Sequence, residues 1–356
     1  MSQKEENIKV GISIGDLNGI GCEIILKCFE DSRMLEICTP IIFGNPKPLS
    51  YAKKAIESNT NYQGIDRLSQ VIIEKVNVYN VWKESLNINY GENDPLIGKY
   101  AIKSFVAATE ALKNGEIDVL VTAPINKYNS QDDDFKYPGH TDYLNEQLEG
   151  DALMLLMSNE LKVGLLTDHL PLKEVAQNIT IDLIKRKTKT LNRALIQDFN
   201  ILKPRIAILG LNPHAGDDGV IGTEEIEIIK PAVQKLNEEG ILISGPFPAD
   251  GFFGSETYKH FDAVIACYHD QGLAPFKALS FGQGVNYTAG LNKIRTSPDH
   301  GTAYDIAGKG LADPSSFREA IFAALDIFKN RQYNAEASQN PLQLQEKDLS
   351  TKKSDN

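Results

Sequence analysis

Three short apolar runs, each followed by a histidine, constrain this chain more than any other feature. Val163-Gly164-Leu165-Leu166-Thr167-Asp168 leads to His169. Ile206-Ala207-Ile208-Leu209-Gly210-Leu211-Asn212-Pro213 leads to His214, and Ala263-Val264-Ile265-Ala266-Cys267-Tyr268 leads to His269. Runs of that length and apolarity read as buried strands, and ligands of open α/β sheets bind beyond the carboxyl ends of strands. Imidazoles from three such ends can converge on one metal ion, and three protein ligands with an open position make a catalytic pattern.

The remaining pattern agrees with a largely parallel α/β sheet. Ile8, Val10, Ile12 and Ile14 alternate as a first strand, ending at a glycine turn that holds Gly15, Gly19 and Gly21. A helix is predicted over 23–29 and further strands over 40–43, 71–78 and 119–122, with helical spacing through Ile102, Phe105, Val106, Thr109 and Leu112. Residues 152–157 and 163–167 are close enough to pair as a hairpin. A helix over 183–199, a strand over 205–209, a helix over 223–238 kinked by Pro231, and a strand over 241–244 follow. The last helix opens near Pro314, and from about Tyr333 the polar, aperiodic chain reads as a disordered tail.

At 356 residues, two domains are expected. A net charge of −11 argues against nucleic-acid or anionic-membrane partners, while leaving room for a locally basic pocket. The four cysteines form no Cys-x-x-Cys pair and read as reduced, buried thiols. With no secretory leader and no run approaching a membrane span, a cytoplasmic location is expected.

Asp168, Asp217 and Asp270 lie near the three histidines in sequence, as carboxylates that orient metal-bound imidazoles do. A second cluster holds Lys277, Asn286 and Arg295 among Gly272, Gly282, Gly284 and Gly290, supplying cationic donors for a phosphate. A third, Pro138-Gly139-His140-Thr141, opens a helix whose start favours anions. The turn from Gly15 to Gly21 lacks the G-x-G-x-x-G spacing of a dinucleotide loop.

These blocks, together with Val121-Thr122-Ala123-Pro124-Ile125-Asn126-Lys127, Gly245-Pro246-Phe247-Pro248-Ala249-Asp250 and Asp299-His300-Gly301-Thr302-Ala303, resemble the 4-hydroxythreonine-4-phosphate dehydrogenase family of pyridoxal-phosphate biosynthesis. The resemblance implies two α/β/α domains with a central cleft, as in isocitrate and isopropylmalate dehydrogenases: 1–140 with 290–333, then 141–289, with 334–356 as the tail. It implies metal ligands at His169, His214 and His269, and substrate contacts at His140, Thr141, Lys277, Asn286 and Arg295. Asp250 and Asp270 match carboxylates that orient the metal histidines. Asn212, Gly301 and Thr302 are the expected cofactor contacts, and Lys127 is a candidate acceptor of the hydroxyl proton.

The implied reaction is NAD- or NADP-dependent oxidation of 4-phosphohydroxy-L-threonine, assisted by zinc, magnesium or cobalt. Its β-keto acid product, 2-amino-3-oxo-4-phosphooxybutanoate, loses carbon dioxide to give 3-amino-2-oxopropyl phosphate. The implied assembly is a homodimer with the active site at the subunit interface. A paralogous 4-phosphothreonate or 4-phosphoerythronate dehydrogenase, a zinc hydrolase and an acyltransferase are the competing readings. Leu17 and Cys22 stand where the family often has prolines, and Asp132, Asp133 and Asp134 read as an acidic surface loop.

Overall fold

The computed structural model describes residues 7–131, 135–280 and 282–339. The acidic stretch Asp132, Asp133 and Asp134, the first six residues and residues 340–356 of the expected tail lie outside the described residues. Twelve strands form one sheet: β1 (Ile8–Ser13), β2 (Cys38–Gly44), β3 (Tyr62–Ile65), β4 (Val76–Asn80), β5 (Val119–Thr122), β6 (Gly150–Met157), β7 (Lys162–Leu165), β8 (Arg205–Leu209), β9 (Leu242–Phe247), β10 (Ala263–Ala266), β11 (Val285–Leu291) and β12 (Arg295–Pro298). Their spatial order is β3-β4-β2-β1-β5-β12-β11-β6-β7-β10-β8-β9. Pairing is parallel from β3 to β12 and again from β7 to β9. The three central steps, β12 to β11, β11 to β6 and β6 to β7, are antiparallel.

The apolar runs become strands because helices cover both faces of the sheet. Ile12, Ile41, Ile208 and Ile265 are fully buried, and each such side chain contributes on the order of 2 kcal/mol of transfer free energy. Capping sets where the covering helices start. Asp94 accepts from the Leu96 N–H ahead of the helix Pro95–Lys113, and Thr180 from the Leu183 N–H ahead of Ile181–Gln197. Gly98 lets the first of these approach a loop: a Cβ there would lie 2.0 Å from the Asn129 carbonyl oxygen. Among the described residues no helix is long and apolar enough to cross a membrane.

Several boundaries differ from those predicted. The strand expected over 71–78 begins only at Val76, because the preceding residues turn. Asn77 donates to the Ile72 and Lys75 carbonyls, Glu74 takes a positive φ of 60°, and Ile72 and Ile73 stay exposed. The helix expected over 223–238 is a π-helical turn, Glu225–Ile229, running into the α-helix Lys230–Glu238, so Pro231 falls where no backbone donor is needed. The last helix runs Ser315–Gln339, so residues 334–339 of the expected tail are helical. Polar side chains hold it there: Asn330 and Asn334 donate to the Asp198 and Gln197 carbonyls, and Arg331 pairs with the Asp198 carboxylate at 2.6 Å.

Candidate active site

A cavity of ≈ 500 Å³ opens at the carboxyl ends of the central strands, and most predicted site residues line it. Its floor is the antiparallel step: Thr122 ends β5, Arg295 opens β12 and Asn286 sits on β11. The sequence pattern assigned no strand to Asn286 or Arg295. They lie on strands because polar Asn286, Thr288, Arg295, Thr296 and Ser297 find hydrogen-bonding partners or the cavity rather than apolar cover, which hides the strand pattern.

Arg295 is 3% exposed and has no carboxylate within ion-pair distance among the described residues. Its Nε and Nη2 donate to Thr122 Oγ1 at 3.0 and 2.6 Å, Nη1 donates to Thr288 Oγ1 at 3.2 Å, and Nη2 donates to His140 Nδ1 at 3.1 Å. Burial pushes the guanidinium pKa down to about 9. His140, packed edge-on against the Phe105 ring at 4.5 Å, is held well below its ordinary value by burial and then by the Arg295 and Lys127 cations. It is therefore neutral, with Nδ1 accepting and Nε2 carrying the proton. Nε2 is buried and unpartnered, as are Asn286 Oδ1 and His300 Nε2 in the same cavity wall. Buried polar atoms without partners are rare, and these three, with His169 Nδ1 of the same cavity lining, mark a place for a polar ligand.

His140 also starts the helix His140–Gln147, whose cap residue Gly139 makes no side-chain bond, and Gly139, His140 and buried Thr141 line the cavity at that uncapped helix start. Lys277 lines the rim, its Nζ donating to the Asp299 carbonyl at 2.9 Å.

Two of the three predicted metal histidines meet. Leu166 and Thr167 N–H groups donate to the Ala266 and Cys267 carbonyls, and the Thr167 hydroxyl donates to the latter at 2.7 Å. These bonds staple the ends of β7 and β10 and bring the His169 and His269 rings to 6.3 Å. Asp270 Oδ1 takes the His269 Nδ1 proton at 2.7 Å. His169 Nε2 accepts from Lys127 Nζ at 3.0 Å, which puts its proton on Nδ1, 3.6 Å from Asp142 Oδ2. The His269 ring thus presents an Nε2 lone pair backed by a hydrogen-bonded carboxylate at Nδ1, whereas His169 Nδ1 and Asp142 Oδ2 face each other beyond hydrogen-bond distance, and an ammonium already sits on His169 Nε2. That donor set fits a divalent cation.

Asp142, not Asp168, faces His169; Asp168 instead accepts from the His169 backbone N–H. Sequence distance concealed this, although Asp142 lies one helical step beyond His140 and Thr141.

His214 stands apart. It is exposed on a turn in which His214, Ala215, Gly216, Asp217 and Asp218 all have positive φ, and it does not line the cavity. Among the described residues no three His, Cys, Asp or Glu side chains are arranged to hold a metal. Asp250 is exposed at the start of the helix Ala249–Gly254, with no bond to a histidine. The expected cofactor residues are likewise separated. Asn212 is engaged by Glu224 and buried Glu225, Gly301 lines the cavity, and the Thr302 carbonyl accepts from Ile20 N–H in the first glycine turn.

That turn serves an unforeseen purpose. The fully buried Asp16 accepts from Asn18 N–H, Asn129 Nδ2 and the Tyr304 hydroxyl, tying the first turn to the loops carrying Lys127 and Gly301. Gly15, at φ +72°, lets the turn lie against the Pro124 carbonyl, which a Cβ would meet at 2.4 Å.

The family described as pyridoxal phosphate biosynthetic protein PdxA matches residues 36–324 of this chain. A protein of Bacteroides thetaiotaomicron named 4-hydroxythreonine-4-phosphate dehydrogenase is 50% identical over 344 residues, covering 96% of this chain and 94% of its own length. One of the same name from Sulfurihydrogenibium sp. is 43% identical over 319 residues, covering 89% and 98%. The crystal structure of 4-hydroxythreonine-4-phosphate dehydrogenase from Klebsiella pneumoniae superimposes with a TM-score of 0.77 at 33% identity, covering 92% of this chain and 99% of that one.

Proposed function

The chain belongs to the PdxA family of pyridoxal phosphate biosynthetic proteins, and on that premise we propose that it oxidises 4-phosphohydroxy-L-threonine at C3 with NAD or NADP, in a site completed across a homodimer interface. One observation carries the substrate assignment: a buried guanidinium without a counter-anion, in a cavity ringed by unpartnered polar atoms. A phosphate monoester supplies the missing negative charge and several acceptors, and charge-assisted bonds of this kind are the strong ones. Arg295, Lys277, neutral His140 through Nε2–H, and the helix start at Thr141 hold the phosphate. The Asn286 carbonyl oxygen takes a donor of the substrate.

His169 and His269, with Asp270 fixing the His269 tautomer and Asp142 facing His169 Nδ1, would hold the divalent cation, with His214 as the third ligand; zinc, magnesium and cobalt all fit the reading. That ion would supply Lewis-acid polarisation of the substrate hydroxyl, and the nicotinamide would supply the hydride acceptor. Lys127, whose Nζ reaches His169, is the candidate acceptor of the hydroxyl proton in its neutral amine form. Asn212, Gly301 and Thr302 are assigned to the dinucleotide, and Asp250 to the surroundings of His214. The β-keto acid formed then loses its carboxyl group as carbon dioxide.

Contribution of His214 across a dimer interface is supported by its exposure and by the apolar residues after it: Val220 is 81% exposed, and Ile221 and Ile226 are also exposed. The two-domain division near residues 140 and 290 is supported by the sheet order, since the antiparallel steps from β12 through β11 and β6 to β7 separate two parallel runs. Four buried, free thiols suit a reducing cytoplasm.

The test is nicotinamide reduction with 4-phosphohydroxy-L-threonine, 4-phosphothreonate and 4-phosphoerythronate, before and after chelation, with zinc, magnesium or cobalt restored. Turnover of the first substrate should dominate and should vanish on chelation. His214→Ala and His269→Ala should each be inactive, yet mixed and reassorted subunits should regain about a quarter of the activity if ligands are shared across a twofold interface. A full-activity His214→Ala removes it from the site.

A further inference from the structure

We propose that Thr122, assisted by Thr288, is a positioning residue of the anion site: its hydroxyl fixes the plane of the Arg295 guanidinium while leaving that charge free for the ligand. The inference rests on the reading of Arg295 as the phosphate-binding cation.

A guanidinium carries five N–H donors, and four of Arg295's are committed, three to threonine hydroxyls and one to a neutral imidazole. Thr122 takes two of them on one oxygen. It ends β5, the parallel neighbour of β12, with Thr296 paired to Val121 in register, so the backbone itself sets the Thr122-to-Arg295 geometry. Thr288 sits on β11, on the opposite flank of β12, and is fully buried, as is Thr122. The guanidinium is therefore clamped from both adjacent strands by rigid, β-branched side chains with restricted χ1.

The chemistry of the clamp matters as much as its geometry. Folded proteins ordinarily hold a buried arginine with carboxylates, which orient it and cancel its charge together. Hydroxyls accept the same N–H groups without cancelling anything. The Thr122 hydroxyl proton also finds no acceptor among the described residues, and Thr122 lines the cavity, so the oxygen that accepts from Arg295 can donate to the same ligand. The selectivity that follows is for a fully ionised, multidentate anion over a neutral or singly charged group.

Steady-state kinetics with the phosphorylated substrate, and competitive inhibition by inorganic phosphate, test this in the metal-loaded protein. Thr122→Val keeps the shape and removes the acceptor, so KM and the phosphate inhibition constant should rise together by about tenfold, with kcat falling less than threefold and the nicotinamide KM holding. Thr122→Ser should recover both constants to within about threefold. Thr122→Asp should keep the arginine oriented yet abolish phosphate inhibition, an outcome that a purely structural threonine does not produce. Unchanged constants in Thr122→Val, or phosphate inhibition surviving in Thr122→Asp, overturn the inference. If Thr122→Val does not fold, Thr288→Val carries the test in the same direction, and unchanged constants there overturn it equally. Arg295→Ala separates the two levels: if it leaves KM and phosphate inhibition unaltered, the phosphate-site reading fails. If it raises both while Thr122→Val does not, only the role of Thr122 fails.

Discussion

Replacing Arg295 by methionine should destabilise the empty protein and remove its response to phosphate. At neutral pH the guanidinium keeps its proton, so the penalty for burying it, seen as a pKa pushed down to about 9, remains in the folded state. At 1.36 kcal/mol per pH unit this is on the order of 5 kcal/mol. The four N–H donations come from an ionised group and offset it at about 1.5–3 kcal/mol each, and methionine would leave the buried Thr122, Thr288 and His140 acceptors without that donor. An apolar side chain of similar length is thus disfavoured by about 1–3 kcal/mol. For a chain of this size, with an unfolding entropy of about 2.1 cal/mol/K per residue, that lowers Tm by roughly 1–4 °C.

Ligand widens the gap. A phosphate compound at one hundred times its Kd adds about 2.7 kcal/mol to the wild type and nothing to the variant. Thermal melts with and without inorganic phosphate or substrate provide the assay. A variant that melts above wild type in the absence of ligand would show that the four hydrogen bonds do not offset the cost of burying the charge. A phosphate-dependent rise in Tm that survived the substitution would sink the anion site itself.

Acid should weaken the fold through His140, whose folded-state pKa lies well below its ordinary 6.5. The unfolded chain then binds the proton first, so this contribution is complete above pH 6.5. It declines below that by up to about 1.4 kcal/mol per pH unit until the folded-state value is reached. His140→Gln should flatten that slope between pH 6.5 and 5 in denaturant titrations; an unaltered slope would mean that His140 is not held neutral. Gly98→Ala should cost about 2 kcal/mol in the same titrations, since a methyl group cannot coexist with the Asn129 carbonyl 2.0 Å away. It should also lower activity by shifting the loop that carries Lys127, and a neutral substitution would deny the close helix–loop contact.

Much of the fold was legible because burial on both faces writes itself into sequence. Val119–Thr122, Arg205–Leu209 and Ala263–Ala266 are strands where consecutive apolar residues demanded them, and β6 and β7 pair as the expected hairpin. The central strands β11 and β12 were not legible. Asn286, Thr288 and Arg295 are polar for the cavity's sake and Thr296 for its bond to the Ala320 carbonyl, and their hydrogen-bonding partners lie 7 to 173 residues away, with none for Asn286 Oδ1 among the described residues. The helical stretch through Gln339 was hidden for a similar reason, being held by bonds to Asp198 and Gln197 rather than by an apolar stripe.

Local order in the chain was enough to establish an α/β sheet, to put His169 and His269 at strand ends, and to collect the residues that line the cavity. Distance information was needed for everything relational: that Asp142 rather than Asp168 faces the His169 ring, that Arg295 is clasped by hydroxyls and not by acids, that Asp16 knots three loops, and that His214 stands outside the cavity. The division has a physical basis. Hydrophobic burial acts position by position and leaves a periodic trace, whereas hydrogen bonds and ion pairs act between side chains whose separation along the chain says nothing about their separation in space.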